Sequence, residues 1–368
     1  MHLYLHIPYC VSKCPYCDFN SHAGREHEFA AYVEALLTEV RRLPPGPYDT
    51  LFIGGGTPTV LPPALLAQLL AGLRAHLQLS PGYEWTCEAN PGSSDAERFA
   101  VLADYGVNRL SLGVQSFHDR HLRFLGRAHD AAGAQAALAS AQRRFAHLNV
   151  DLMYGLPGQS VEEALADART ALAFGVGHLA AYHLAIEPGT EFHARQRRGQ
   201  LPELDPERSR ELMRCLAEFL TAQGLPPYET SNYARPGEAC RHNLAYWRQR
   251  DWQAAGAGAV SCVQGQRWTR LRQPAAYIAA IRRGADAIGH RERIDARTRL
   301  REAWMLGLRL TEGVARARLR ALGDDEQRWL PIARSLAEVG LIELDAERVR
   351  LAPQARYAQD EVTVRLLP

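Results

Sequence analysis

From the N-terminus to about residue 184, short apolar runs alternate with stretches of helical spacing. Strand candidates fall at residues 3–7, 50–53, 84–88, 109–113, 149–153 and 178–184, with helix candidates at 29–43, 64–77, 96–104, 131–145 and 161–174 between them. Strands separated by helices predict a parallel sheet, because each parallel pair needs a crossover that a helix can supply. Six such units with right-handed crossovers form an open partial barrel and bring every strand's C-terminal end to one rim, where barrel enzymes carry their chemistry. The expected fold class is therefore α/β, a partial (β/α)6 TIM-like barrel.

The first strand candidate runs directly into Cys10, Cys14 and Cys17, a C-x3-C-x2-C spacing. Thiolates are preferred ligands of iron–sulfur clusters. This spacing lets one tight loop wrap three corners of a cubane 4Fe–4S cluster and leaves the fourth iron open to a small molecule. A structural zinc site needs four ligands, and His6 or His22 could complete a Cys3His set, so on the loop alone that reading stays open. A disulfide framework fits poorly. Seven cysteines is an odd number, Cys87, Cys215, Cys240 and Cys262 are scattered, and no secretory leader pattern precedes the first strand, which together point to a reducing cytoplasm. The scattered four read as buried small hydrophobes or spare thiols.

The second strand candidate ends in Gly54-Gly55-Gly56-Thr57-Pro58-Thr59. Glycines there permit positive φ and let bare backbone groups approach a ligand, although a glycine turn of this kind also serves structure alone. Polar residues recur where later strands should end: Glu88 with Asn90, Gln115, and Asp151 inside an apolar run. Parallel strands are buried on both faces, so a carboxylate in one needs partners or a polar cavity. Each could be a member of a structural network or a helix cap. On a shared rim, Glu88, Gln115, Arg127 and Asp151 suit a ligand carrying hydroxyls, an amine and a carboxylate.

The cysteine loop and the GGGTPT segment resemble the radical S-adenosylmethionine (SAM) superfamily, in which the open iron chelates SAM. The likeness extends through Tyr4-Leu5-His6-Ile7-Pro8-Tyr9-Cys10, Tyr16-Cys17, Glu88-x-Asn90-Pro91, Gly113-Val114-Gln115-Ser116, Arg127 and Asp151-Leu152-Met153-Tyr154-Gly155-Leu156-Pro157-Gly158. These segments look like the oxygen-independent coproporphyrinogen III oxidase family over most of the chain. The resemblance implies a radical SAM barrel with Cys10, Cys14 and Cys17 as 4Fe–4S ligands. It also implies a SAM site made by Tyr4, Tyr16, Gly55, Gly56, Thr57, Glu88, Gln115, Arg127 and Asp151, with Tyr182 as a looser correspondence.

Two departures argue against the oxidase reaction itself. The oxidases carry a further cysteine two residues past the third ligand, where this chain has Phe19, and they place some tens of residues before the first strand, which here begins within three residues of Met1. A third feature, His242-Asn243-x-x-Tyr246-Trp247, resembles the haem-chaperone branch of the same family. A neutral imidazole can ligate haem iron, and Tyr and Trp offer flat apolar faces to a porphyrin. A packed core segment explains the same residues. The resemblance implies a haem carrier, with His242 as candidate haem ligand, that delivers haem to apo-haemoproteins such as respiratory enzymes. The competing expectation is coproporphyrinogen III oxidation by a radical SAM mechanism, and a third is a cluster-bearing redox or scaffold protein with vestigial SAM binding. Homodimerisation belongs to the same family expectation. The turn Gly256-Ala257-Gly258-Ala259 suggests tight packing or close ligand approach.

Composition is that of a globular protein of enzyme size, with 368 residues, 46% hydrophobic and a formal net charge of +2. Nothing in that charge demands a nucleic-acid partner. No apolar run reaches the roughly 18 residues of a membrane-spanning helix. The basic clusters at 195–198 and 316–320 leave peripheral membrane contact open, or are solvated helix faces. The expected organisation is a radical SAM barrel over 1–230, an extension over 231–296 carrying the His242 segment, and a small winged-helix-like C-terminal domain over 297–368. That last domain shows a hairpin around 345–347 and lacks a basic recognition helix, so it reads as a lid or partner surface.

Overall fold

A computed structural model describes residues 1–202 and 205–368. Strands β1 (His2–Ile7), β2 (Tyr48–Gly55), β3 (Leu79–Ala89), β4 (Arg109–Gln115), β5 (His147–Tyr154) and β6 (His178–His183) lie side by side in chain order, every neighbouring pair parallel. The crossovers are α1 (Phe29–Val40), α2 (Pro63–His76), α3 (Ala96–Asp104), the pair α4 (Asp119–Phe124) and α5 (Ala131–Gln142), and α6 (Val161–Ala173). Period-two alternation divides β1 cleanly. Leu3, Leu5 and Ile7 join Tyr32, Val33 and Leu36 of α1 in the main core, which leaves His2, Tyr4 and His6 for the opposite, concave face. The helix starts are written locally. The Asp95 carboxylate accepts from the Arg98 N–H, Asp130 from Gly133, and Ser160 and Glu163 form a reciprocal capping box.

The sheet does not stop at six strands. After α7 (Glu191–Arg197) and α8 (Pro206–Ala222), β7 (Asn232–Ala234) adds antiparallel to β6. The chain then crosses back through α9 (Arg241–Trp247) to the far edge. There β8 (Trp252–Ala255) pairs parallel with β1, and β9 (Val260–Val263), β10 (Gln266–Arg270) and β11 (Ile288–Arg293) continue as an antiparallel meander, with α10 (Pro274–Arg282) between the last two. The result is one eleven-stranded sheet. These added strands are short and carry Gln, Arg and His, so they lack the apolar runs that mark β1 to β6.

Two polar devices hold this extension in place. Helix α9 lies at the N-terminal end of β1 to β3, where the Glu84 carboxylate accepts the first N–H groups of the helix, from Arg241 and His242, each at 3.0 Å. Deep on the other side, Glu39 of α1 pairs with Arg270 at 2.5 Å and also accepts from the Gly256 N–H and the Tyr277 hydroxyl. Gly256 has φ +106°, and a Cβ there would lie 2.5 Å from the His6 carbonyl oxygen, so the turn after β8 depends on glycine.

The C-terminal part has a separate core. Helices α11 (Ala296–Gly307), α12 (Arg316–Ala321), α13 (Glu326–Glu338) and α14 (Gln359–Leu366) pack with the three-stranded antiparallel sheet of β12 (Val314–Ala315), β13 (Ile342–Leu344) and β14 (Arg348–Leu351). Its centre is the edge-to-face pair Trp304 and Trp329, with centroids 5.4 Å apart, and the Trp304 indole N–H donates to Asp324 at 2.7 Å. Among the described residues, no helix is long and apolar enough to cross a membrane. The two basic clusters are partly paired: Arg195 with Glu191, and Arg316 and Arg320 with Glu326, while Arg198 donates to Gln200 and Arg318 to Gln249.

Candidate functional site

The cysteine loop leaves β1 and returns beside it. Tyr9 and His22 form a bridge at its base, with the Cys10 N–H donating to the His22 carbonyl at 3.0 Å and the His22 N–H to Pro8 at 2.8 Å. Between them, a turn closed by the Cys17 N–H on the Cys14 carbonyl (3.1 Å) projects the three half-buried thiols. Asn20 anchors the returning limb, donating to the carbonyls of Ala257 and Arg272, while its own carbonyl meets His6 Nε2 at 2.9 Å. Burial raises the Cys10 and Cys17 pKa values.

The glycine segment at the end of β2 faces this loop, and its conformation is required. Gly55 has φ +112°, while a Cβ on Gly56 would lie 2.4 Å from the Tyr9 carbonyl oxygen, and one on Gly54 would lie 2.7 Å from Glu88 Oε2. Glu88, on β3, accepts the Gly55 N–H at 3.0 Å. Asp151, on β5, accepts from Asn149 at 2.7 Å and Ser111 at 3.5 Å. Burial, and then the Asp151 charge, pushes Glu88 up to about 8, against the Gly55 N–H that favours its anion. Burial also raises Asp151 to about 6, opposed by the Asn149 bond and by Arg127. Gln115 ends β4 at φ +71°, just past an irregularity in the ladder to β5.

Arg127 spans the site. Its guanidinium donates to Cys14 Sγ (3.4 Å), the Tyr16 hydroxyl (3.5 Å), the Gly113 carbonyl (2.6 Å) and Asn90, while its Nε is buried without a partner. Cys10, Cys14, Cys17, Tyr16, Gly55, Gly56, Glu88, Gln115, Arg127, Asp151 and Tyr182 all line one cavity of about 370 Å³ on the concave face at the C-terminal rim of the barrel. Phe19 stands exposed at its mouth. Residues as far apart in sequence as Cys10 and Tyr182 are thus brought to one place.

Three candidates lie elsewhere. Thr57 stands behind the loop, with its hydroxyl 3.5 Å from Cys10 Sγ and accepting from Asn90 at 2.6 Å. Tyr4 does not line the cysteine cavity. Its hydroxyl bonds His6 Nδ1 at 2.9 Å, and its ring faces a second cavity. His242 is 1% exposed at the N-terminal end of the barrel. Both its ring nitrogens are engaged, Nδ1 with Thr50 Oγ1 at 2.7 Å and Nε2 with the Tyr246 hydroxyl at 2.9 Å. The imidazole has no free lone pair for iron there, so its place is that of a packed core histidine, held neutral by burial that pushes its pKa down to about 3. Sequence reasoning passed over Ser111 and Asn149, which orient Asp151. Asn149 sits two residues before Asp151 on the same strand face, a period-two signal that was available.

Three thiols on one loop facing one cavity suit a cubane cluster. A cubane takes its thiolates on three separate irons, so they need not converge. Of the two histidines that could complete a Cys3His zinc set, His6 is committed to Tyr4 and Asn20, whereas the buried Nε2 of His22 has no partner among the described residues. The buried acceptors Glu88 and Asp151, beside an arginine with an unused N–H, match a ligand bearing both an amine and a carboxylate.

A strand-ordered parallel barrel with three thiols on the loop after β1 and a glycine turn after β2 defines the radical SAM class, and residues 4–171 match the radical SAM superfamily model. Residues 294–358 match the HemN C-terminal domain. The chain belongs, within that class, to the heme chaperone HemW family. It is 44% identical to heme chaperone HemW of Escherichia coli K12 over 75% of each chain, and 35% identical to that of Mycobacterium tuberculosis H37Rv over 99% of this chain and 94% of the relative. With the Bacillus subtilis 168 protein it shares 33% identity over 98% of this chain and 97% of that one. In fold it is similar to E. coli coproporphyrinogen III oxidase (HemN), with a TM-score of 0.85 at 23% identity, covering 99% of this chain and 89% of that one.

Proposed function

We propose that this protein is a cytoplasmic haem chaperone. It holds a 4Fe–4S cluster on Cys10, Cys14 and Cys17, binds SAM in the adjoining cavity, accepts haem, and passes it to apo-haemoproteins such as respiratory enzymes. The observation that carries the reading is the joining of three half-buried thiols with Glu88, Arg127 and Asp151 in one cavity, in a chain whose relatives bear the name heme chaperone. A bound cluster supplies one electron and an open iron for the SAM amine and carboxylate. The remaining work falls to side chains. Glu88 and Asp151 accept from the ligand's amine and ribose hydroxyls once ionised. Arg127 keeps the thiol loop against the ends of β3 and β4, and Gly55 and Gly56 leave backbone groups bare to the ligand.

Coproporphyrinogen oxidation has no observation of its own in support, since the likeness to HemN is one of fold, and Phe19 occupies the position of the oxidases' extra cysteine. The test is an anaerobic titration of the reconstituted protein with haem, followed at the Soret band, with haem transfer to an apo-cytochrome as the second step. Saturable binding near one haem per chain, and transfer, are expected. Absence of binding together with coproporphyrinogen turnover would overturn the reading.

A further inference from the structure

A second cavity, of about 520 Å³, lies between the concave face of β1, β8 and β9 and the helix α11 that opens the C-terminal domain. Its size is within the roughly 300–1,000 Å³ of small-molecule sites. Tyr246 and Trp252, edge-to-face with centroids 4.8 Å apart, form one wall. Val260 and Leu306 add apolar surface, and Cys262 and Met305 contribute sulfur. Of the two carboxylates within it, Glu302 pairs with Arg267 at 2.6 Å, and Asp251 accepts from the Gln264 N–H and keeps its charge.

Positive charge is in excess at its lip. Arg299 lines the cavity, and Gln249 bridges it to the C-terminal domain, donating to the Arg299 carbonyl at 3.2 Å and accepting from Arg318 at 2.6 Å. Gln249 adopts φ +51°, an unfavourable conformation for a residue other than glycine, which the two contacts hold in place. Burial together with the charges of Arg250 and Arg299 lowers the Arg318 pKa, so the three guanidinium groups crowd one another. Their neighbours Arg248 and Arg267 are bound to Glu312 and to Glu292 and Glu302. Among the described residues none of Arg250, Arg299 and Arg318 has an acidic partner within 4.0 Å.

An aromatic and sulfur-bearing slot with unneutralised guanidinium groups at one edge is complementary to a flat apolar molecule carrying carboxylates at one edge. We infer that haem binds in this interdomain cavity, its ring against Tyr246 and Trp252 and its propionates on the Arg250, Arg299 and Arg318 cluster. The inference rests on the haem-carrier reading and assigns that reading its site. It also gives His242 a role: through its bond to the Tyr246 hydroxyl it is a positioning residue behind the aromatic wall, outside the slot.

The experiment is a Soret titration of the reconstituted full-length protein with ferric haem and with its dimethyl ester. It compares the wild type, Val260→Trp, which fills the slot, and Arg299→Glu/Arg318→Glu, which reverses charge at exposed positions. Both variants are expected to weaken haem at least about tenfold, and the ester to bind the wild type about as weakly as haem binds the charge variant. Should Val260→Trp fail to fold, the surface charge variant and the ester decide alone. Wild-type haem affinity in the charge variant, or equal affinity for haem and ester, would place haem elsewhere and leave the carrier reading standing. No saturable binding by the wild type would remove the carrier reading, and this site with it.

Discussion

Arg127 Nη1 lies 3.4 Å from Cys14 Sγ, although 113 residues separate them. The same guanidinium holds Gly113 and Asn90, at the ends of β4 and β3, so the thiol loop is fastened to the sheet through one buried cation. Replacing Arg127 by Ala would leave those acceptors buried and unpaired, a loss of about 2–4 kcal/mol. Urea denaturation of the cluster-free protein should show a lower midpoint with an unchanged m-value, and the reconstituted variant should lose iron faster under a chelator.

Each of the three thiols is expected to ligate one iron. Cys14→Ala should therefore abolish stoichiometric iron and sulfide after anaerobic reconstitution and remove the charge-transfer absorption near the visible region. A variant that retained four irons per chain with an unchanged spectrum would remove Cys14 from the ligand set.

Glu88 and Asp151 set the pH dependence. Their folded-state pKa values, about 8 and about 6, lie above the ordinary carboxylate range, so the folded chain holds protons that the unfolded chain has already released. The ligand-free protein should lose stability as pH rises from about 4.5 toward about 8 and level off above, with a limiting slope of ~1.4 kcal/mol per pH unit for each group that remains protonated. Glu88→Gln should remove most of the slope above pH 6. SAM affinity should move the opposite way, tightening as pH rises through the same window, because ionised carboxylates are the stronger acceptors for the ligand's N–H and hydroxyl groups. Calorimetry at pH 6 and 8.5 reads both effects.

His242→Gln separates ligation from positioning. With both ring nitrogens engaged in the fold, the substitution should lower haem affinity by loosening Tyr246 yet leave the absorption maxima and electron paramagnetic resonance of the saturated complex unchanged. A changed iron spectrum at saturation would make His242 a direct ligand.

Glu39 and Arg270 form the most deeply buried ion pair of the barrel extension. Glu39→Ala strands a buried guanidinium, the Gly256 N–H and the Tyr277 hydroxyl, and should cost about 3–5 kcal/mol. Thermal unfolding measures it. Glu39→Ala/Arg270→Met, which removes both charges, should recover part of the loss.

The periodicity and spacing of the sequence by themselves determined β1 to β6, their crossover helices apart from the short α4, and the loops on which Cys10, Gly55 and Glu88 sit, because hydrophobic period, capping and glycine conformation are local properties. The hairpin of β13 and β14 was legible for the same reason. The tertiary structure alone decided the rest. Strands β8 to β11 hold their places through partners such as Glu39 and β1 and carry little apolar pattern of their own. His242, a haem-ligand candidate by resemblance, is buried with Nε2 on Tyr246, one turn along its own helix, and Nδ1 on Thr50, a buried residue of β2 that lies 192 positions away in sequence. Tyr4, one strand residue among several alternating ones, lines the second cavity with Tyr246 of α9, whose Asn243 lines the first, and the placing of that helix depends on distant contacts which no local pattern encodes.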